Sequence, residues 1–286
     1  MSKPQPQLAT RSEDHASDER AKLLRLTDAV EGGFGTEDFS LFLYSLVRMH
    51  VPETVVELGT GFGVSAFWMA LGAKRNQTGH VWTVDDFELF ERQKPMVEKF
   101  IAKLRESDIA SLADPTAEEY FTGISNQLGL DPYLTFVNSK IALNEIDHFA
   151  DYPFAGKPVD LLFSDFQHGG VSILQILGHF LPQMAPSSSI FIHSAPTAWT
   201  SYLLLEQLCS QLNAGKIPQL LQNYSSVDLG ELVRHRRIVL VNLTERKDRN
   251  QNSAAWLKIE PIDLLPHPQS RMRGMKQPGN DKKGNG

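Results

Sequence analysis

The 286-residue sequence predicts an α/β fold, a single doubly wound domain whose seven-stranded sheet is mostly parallel, with an antiparallel edge hairpin and a pair of N-terminal helices. Three observations predict it. From about residue 50 onward, short apolar runs alternate with longer amphipathic ones, the pattern of strands joined by crossover helices. One such run opens directly onto three alternately spaced glycines, in 55-VVELGTGFGVSAFWMA-70. Two later runs, 80-HVWTVDD-86 and 159-VDLLFSD-165, end in an acid where a strand gives way to a loop.

The elements follow in order. A first helix over 20-RAKLLRLTDAVEG-32 stops at Gly32 and Gly33, and a second over 36-TEDFSLFLYSLVRMH-50 takes Thr36 as its N-cap. Strands are expected at 54–59, 80–86, 133–139, 159–165 and 189–195. The last two, at 219–229 and 236–245, sit close enough in sequence to pair antiparallel at the sheet edge. The connection from residue 88 to residue 131 is longer than one crossover helix requires. It holds two helical stretches, 95–112 and 116–129, and is expected to be a helical insertion. The domain is bounded at 20–262, with 50 as the end of the N-terminal helices; segments 1–19 and 263–286 are too polar to bury a core and are expected to be disordered tails.

Composition excludes several function classes. With 34 acidic against 28 basic residues the chain carries a net charge of −6, so it lacks the positive field needed for nucleic acid or an anionic membrane surface. A single cysteine, Cys209, forbids an intramolecular disulfide and a cysteine-built zinc site; placed in the amphipathic stretch 202–212, it is expected in the core rather than as a nucleophile. The N-terminus has no apolar signal segment and no run approaches a membrane span, so a cytoplasmic protein acting on small molecules, with a homodimer possible, is expected. The 234-RHRR-237 cluster is expected to keep an edge strand soluble.

In an open α/β sheet the turn after the first strand lies at the carboxyl ends of the strands, where ligands bind. Gly59, Gly61 and Gly63 there allow a sharp turn and a close approach that a Cβ would obstruct. Their order is G-x-G-x-G, not the G-x-G-x-x-G of a dinucleotide loop, and Glu57 stands two residues ahead. These residues, with Asp85 about twenty residues on, supply close backbone approach and a carboxylate for vicinal hydroxyls.

The string ELGTGFG after an apolar strand resembles the first motif of class I S-adenosylmethionine-dependent methyltransferases, and VVELGTGFGVSAFWMA is similar to their catechol O-methyltransferase-like branch. The likeness spans about residues 30–245 and implies a Rossmann-like methyltransferase fold and S-adenosylmethionine as cofactor. Carried onto this chain, it implies cofactor contacts from Glu57, Gly59, Thr60, Gly61, Gly63, Ser65, Asp85 and Asp165, with Ser139 near the adenine and Asp85 on the ribose. It also marks the loop 31-EGGFG-35 as a segment touching cofactor and acceptor.

The resemblance breaks where the branch holds magnesium. Its Asp after the fourth strand is kept as Asp165, but its Asp-Asn pair after the fifth falls on His193 and Ser194. Magnesium prefers hard oxygen ligands, so no metal is expected; a softer ion on Asp165, His168 and His193 is the alternative. His168 takes the place of the branch's lysine base, and an imidazole accepts a proton near neutral pH without a metal. The expected catalytic set is therefore His168, His193 and Asp165, transferring a methyl group to oxygen or nitrogen of a small molecule. Two other readings stay open: a methyltransferase-fold protein that binds without turnover, and a nicotinamide-dependent oxidoreductase, which the glycine spacing disfavours.

Overall fold

Five consecutive buried residues, Thr54–Leu58, form β1 at the centre of the molecule. Its Val55 and Val56 carry the β-branching that suits a strand covered on both faces, and it runs parallel to a neighbour on each side. In the computed structural model, which describes residues 10–30, 37–106, 115–244 and 253–262, the chain enters through helices α1 (Thr10–Val30) and α2 (Glu37–His50). After β1 come α3 (Val64–Asn76), β2 (His80–Asp85), α4 (Glu88–Arg92), α5 (Lys94–Glu106) and α6 (Ala117–Leu128). Then follow β3 (Leu134–Asn138), β4 (Val159–Ser164), α7 (Gly170–Phe180), β5 (Met184–His193) and α8 (Trp199–Asn213). The short helices α9 (Gln219–Gln222) and α10 (Leu229–Arg234) lead into β6 (Arg236–Thr244) and β7 (Ser253–Pro261).

The sheet order is β3-β2-β1-β4-β5-β7-β6, with β1 to β5 parallel and β7 antiparallel to both of its neighbours. One face packs on residues of α1, α2, α3, α5 and α6; the other packs on α7 to α10 and on the turns at 141–154. The doubly wound, mostly parallel seven-stranded sheet expected from sequence is the one observed.

Three expectations about elements are corrected. The stretch 219–229 is not a strand: α9 and a turn occupy it, placing Leu221 and Leu229 in the core. The antiparallel partner of β6 is β7, later in the chain, and β7 lies between β5 and β6. Helix α1 begins at Thr10, so the chain is already helical across the second half of the segment expected to be a tail. Thr36 and the loop 31–35 lie outside the described residues.

The 88–131 connection is bound to the domain rather than detached from it. Helix α6 starts with a reciprocal capping box between Thr116 and Glu119. Its Phe121 is 1% exposed, stacks on Phe136 of β3 at 4.7 Å and meets Phe87 at 5.0 Å. Burying such a ring stabilises by about 1.5 to 3 kcal/mol. Tyr120 donates its hydroxyl to the carbonyl of Phe62 in the glycine loop (3.1 Å), and Phe100, Ile101 and Leu104 bury α5 in the same cluster.

Candidate active site

The glycine turn answers two needs of the protein itself. Gly59 has φ +89°, and a Cβ there would stand 2.9 Å from the backbone C and O of Asp165 and the N of Phe166. Gly63 has φ +75°, and its Cβ would press on the rings of Phe67 and Phe121 at 2.9 and 3.0 Å. Both therefore serve close packing as well as the turn. The first of them brings the β1 loop against the start of the β4 loop.

Beneath this turn Glu57 is fully buried. It accepts hydrogen bonds from the hydroxyls of Ser65 and Thr83, and Thr83 is in turn 2.6 Å from the hydroxyl of Thr60. Burial pushes the Glu57 carboxyl up to about 8; the two hydroxyls oppose this, and the nearby carboxylates of Asp165 and Asp85 add to it. At neutral pH it largely holds its proton. Asp85, half-buried at the end of β2, fastens the turn from the side. Its Oδ2 accepts from the N–H of Thr60 (2.8 Å) and Gly61 (3.4 Å), and its Oδ1 from the N–H of Phe87 (2.7 Å).

Parallel pairing of β4 with β5 ends at Ser164 opposite Ile192, so the next residue of each strand, Asp165 and His193, emerge side by side. His193 Nδ1 lies 2.8 Å from Asp165 Oδ1. The Asp165 side chain is 43% exposed and that of His193 17%. The imidazole packs against Phe39 of α2 and Phe163 of β4, with ring centroids 5.6 and 6.2 Å apart. Ser194 follows in the left-handed region with φ +57°, buried, and its N–H donates to the carbonyl of Ser253 at the start of β7 (2.6 Å). His168 sits three residues past Asp165, half-buried in the turn before α7, and among the described residues no hydrogen bond to it is found. Of the three expected catalytic residues, the structure thus joins two.

Ser139, just past β3, donates its N–H to the carbonyl of Asp85 (2.9 Å). Its hydroxyl accepts from Tyr152 (2.7 Å), whose oxygen is also 2.9 Å from His148 Nε2. Tyr152 and His148 carry no motif, and sequence reasoning missed them, as it missed Thr83 and Phe39. Only the polar alternation Thr83-Val84-Asp85 next to the Glu57 strand could have hinted at Thr83. Cys209 is buried, and burial pushes its thiol up to about 12, so it is inert as a nucleophile.

Among the described residues no group of three or more His, Cys, Asp or Glu side chains is placed to hold a metal ion, and no helix is long and apolar enough to cross a membrane.

A sheet of order 3-2-1-4-5-7-6 with a glycine turn after β1 and acids ending β2 and following β4 defines the class I methyltransferase fold. The model of a methyltransferase-domain family matches residues 56–195, from β1 through the end of β5 and just beyond. Residues 56–195 thus match a methyltransferase domain, and this match together with the fold supports S-adenosylmethionine-dependent methyl transfer. Solved structures similar to it include cofactor-bound Rv0187 from MTB, at 16% identity and a TM-score of 0.49, over 90% of this chain and 100% of that one. Others are the O-methyltransferase TomG from Streptomyces achromogenes, involved in tomaymycin synthesis and solved with SAM (14%, TM-score 0.43, 88% and 92%), and an O-methyltransferase from Bacillus cereus with SAH (12%, TM-score 0.41, 88% and 94%). At these identities and TM-scores nothing about substrate passes from them to this chain. No curated protein sequence matches it.

The residues present fit S-adenosylmethionine. Half-buried Asp85, Ser65 and Ser139 offer a carboxylate and two hydroxyls at the carboxyl ends of β1, β2 and β3. The Oγ of Ser164, immediately before Asp165, is a buried polar atom without a partner.

Proposed function

We propose that this enzyme methylates an oxygen or nitrogen of a small molecule without a metal, using His193 as the proton acceptor and Asp165 to orient it. The observation that carries the proposal is the 2.8 Å contact between His193 Nδ1 and Asp165 Oδ1. S-adenosylmethionine, when bound, supplies the electrophilic methyl group. With its Nδ1–H donating a hydrogen bond to Asp165, the neutral imidazole has its lone pair on Nε2, the atom assigned to take the acceptor's proton. Asp165 then stabilises the imidazolium that results. Phe39 and Phe163 hold the ring in place. Asp85, Ser139, Ser65 and the turn at Thr60 and Gly61 hold the cofactor, and buried Glu57 supports them through Ser65 and Thr83.

The donor set supports the metal-independent reading: an Asp, a His and a Ser stand where magnesium would need three oxygen ligands, and His193 is already bonded to Asp165. The net negative charge favours a small-molecule acceptor over nucleic acid, and a reducing, cytoplasmic setting suits a chain whose one cysteine is a buried free thiol. Isothermal titration with S-adenosylhomocysteine tests the cofactor, and no binding at near-millimolar ligand would refute it. Turnover unchanged by a chelator is the expected outcome for the chemistry; loss on chelation with recovery on adding Mg²⁺ would overturn it.

A further inference from the structure

On the far side of β2 from the catalytic pair, β3 forms the edge of the sheet and α6 runs beside it. Between them is a cavity of 370 Å³, within the range of small-molecule sites. Phe87, Phe121 and Phe136 form its apolar wall. Glu118 and Asp131 stand at its rim, exposed, and neither has an ion-pair partner among the described residues. No Lys, Arg or His lines it. The floor includes Ser125, which is 2% exposed and whose hydroxyl has no hydrogen-bond partner.

The spacing explains how one helix builds this wall. Glu118, Phe121 and Ser125 recur at three- and four-residue intervals and so share one face of α6, while Asp131 begins the turn that follows the helix. A buried hydroxyl left without a partner is destabilising, a cost that a ligand supplying the missing bond removes. Aromatic faces and two carboxylates both favour a cation. Neither Phe87 nor Phe136 belongs to the catalytic pair, and no role in methyl transfer uses Ser125, Glu118 or Asp131.

We propose that this cavity is a second ligand site, for a small aromatic ammonium ion: its ring lies against Phe121 and Phe136, its ammonium group pairs with Glu118 and Asp131, and Ser125 accepts one of its N–H groups. Phenethylamine is the probe, and its neutral analogue 2-phenylethanol the control, both titrated by saturation-transfer NMR against the full chain. Expected are saturable binding of the amine and binding of the alcohol at least tenfold weaker. Glu118→Gln with Asp131→Asn should weaken the amine tenfold or more, and Ser125→Leu, which fills the floor, should abolish it. Because Ser125→Leu could disturb the fold, the two rim substitutions, at exposed positions, decide independently. Absence of saturable binding at millimolar amine, equal binding of the alcohol, or amine binding unaffected by the rim substitutions would overturn the proposal; the last would place the amine elsewhere, for instance at the methyl-acceptor site.

Discussion

The α-carbon of Gly59 faces the backbone of Asp165 so closely that a single added methyl would come within 2.9 Å of its carbonyl carbon and oxygen. The glycine turn and the residue proposed to orient His193 are therefore one packed unit.

Gly59→Ala should damage both at once. The positive φ and the overlap with fixed backbone together should cost about 2 to 4 kcal/mol of stability, measured by urea unfolding. Turnover of the folded fraction should fall as well, because Asp165 must shift. A variant with wild-type stability and turnover would show that the loop yields freely.

The proposed pair, His193 and Asp165, should behave as a unit. His193→Ala and Asp165→Asn should each lower kcat by about 10²- to 10⁴-fold with S-adenosylhomocysteine affinity nearly constant, and the double variant should cost little more than the worse single one. His168→Ala should stay within about tenfold of wild type. Should His168→Ala lose turnover while His193→Ala keeps it, the roles are reversed.

Asp85 should report on the cofactor first. Its carboxylate accepts from the N–H groups of Thr60, Gly61 and Phe87, and bonds to a charged acceptor are worth about 1.5 to 3 kcal/mol each. Asp85→Ala should weaken S-adenosylhomocysteine binding tenfold or more by calorimetry, from the loosened turn and the lost ribose contact together. Unchanged affinity would remove Asp85 from the cofactor site.

Glu57 predicts a pH dependence of stability. Its carboxyl sits at about 8 in the fold against an ordinary 4.5, so both states are protonated below about 4.5 and no free energy is lost there. Between 4.5 and 8 the unfolded chain ionises while the fold keeps its proton, and stability falls by an amount on the order of 3 to 5 kcal/mol. Glu57→Gln cannot ionise and should show a flatter decline from pH 5 to 8.5 in thermal unfolding. Parallel profiles for the two proteins would mean that Glu57 is charged in the fold.

The central strands were legible because each joins a β-branched apolar run to a chemically marked end: Glu57 and the glycines after β1, Asp85 after β2, Asp165 after β4. The edge was not. Segment 219–229 and strand β7 both mix apolar with polar residues, and periodicity alone does not separate a strand from a helical turn there. In β7, Ala254 and Ala255 have weak strand propensity, and the strand is stabilised by β5 and β6 on either side rather than by its own residues. The choice between His168 and His193 was hidden for a related reason. Sequence places His168 three residues from Asp165 and His193 twenty-eight away, and only the register of β4 on β5 makes the distant one the neighbour. The glycines were read as room for a ligand, whereas Gly59 and Gly63 make room for Asp165 and for two phenylalanine rings.

The late position of β7 sets a timetable for the nascent chain. Strand β5, which carries His193, is complete at residue 193, yet the strand that flanks it begins only at Ser253, whose carbonyl also holds Ser194. At roughly 5 to 20 residues per second, a ribosome leaves that flank uncovered for about 3 to 12 seconds, its N–H and C=O groups open to pairing with any other extended chain. Strand β5 is thus the sheet's most vulnerable edge during synthesis and an interior strand afterwards, so its assembly is finished by the last of the described strands to be translated.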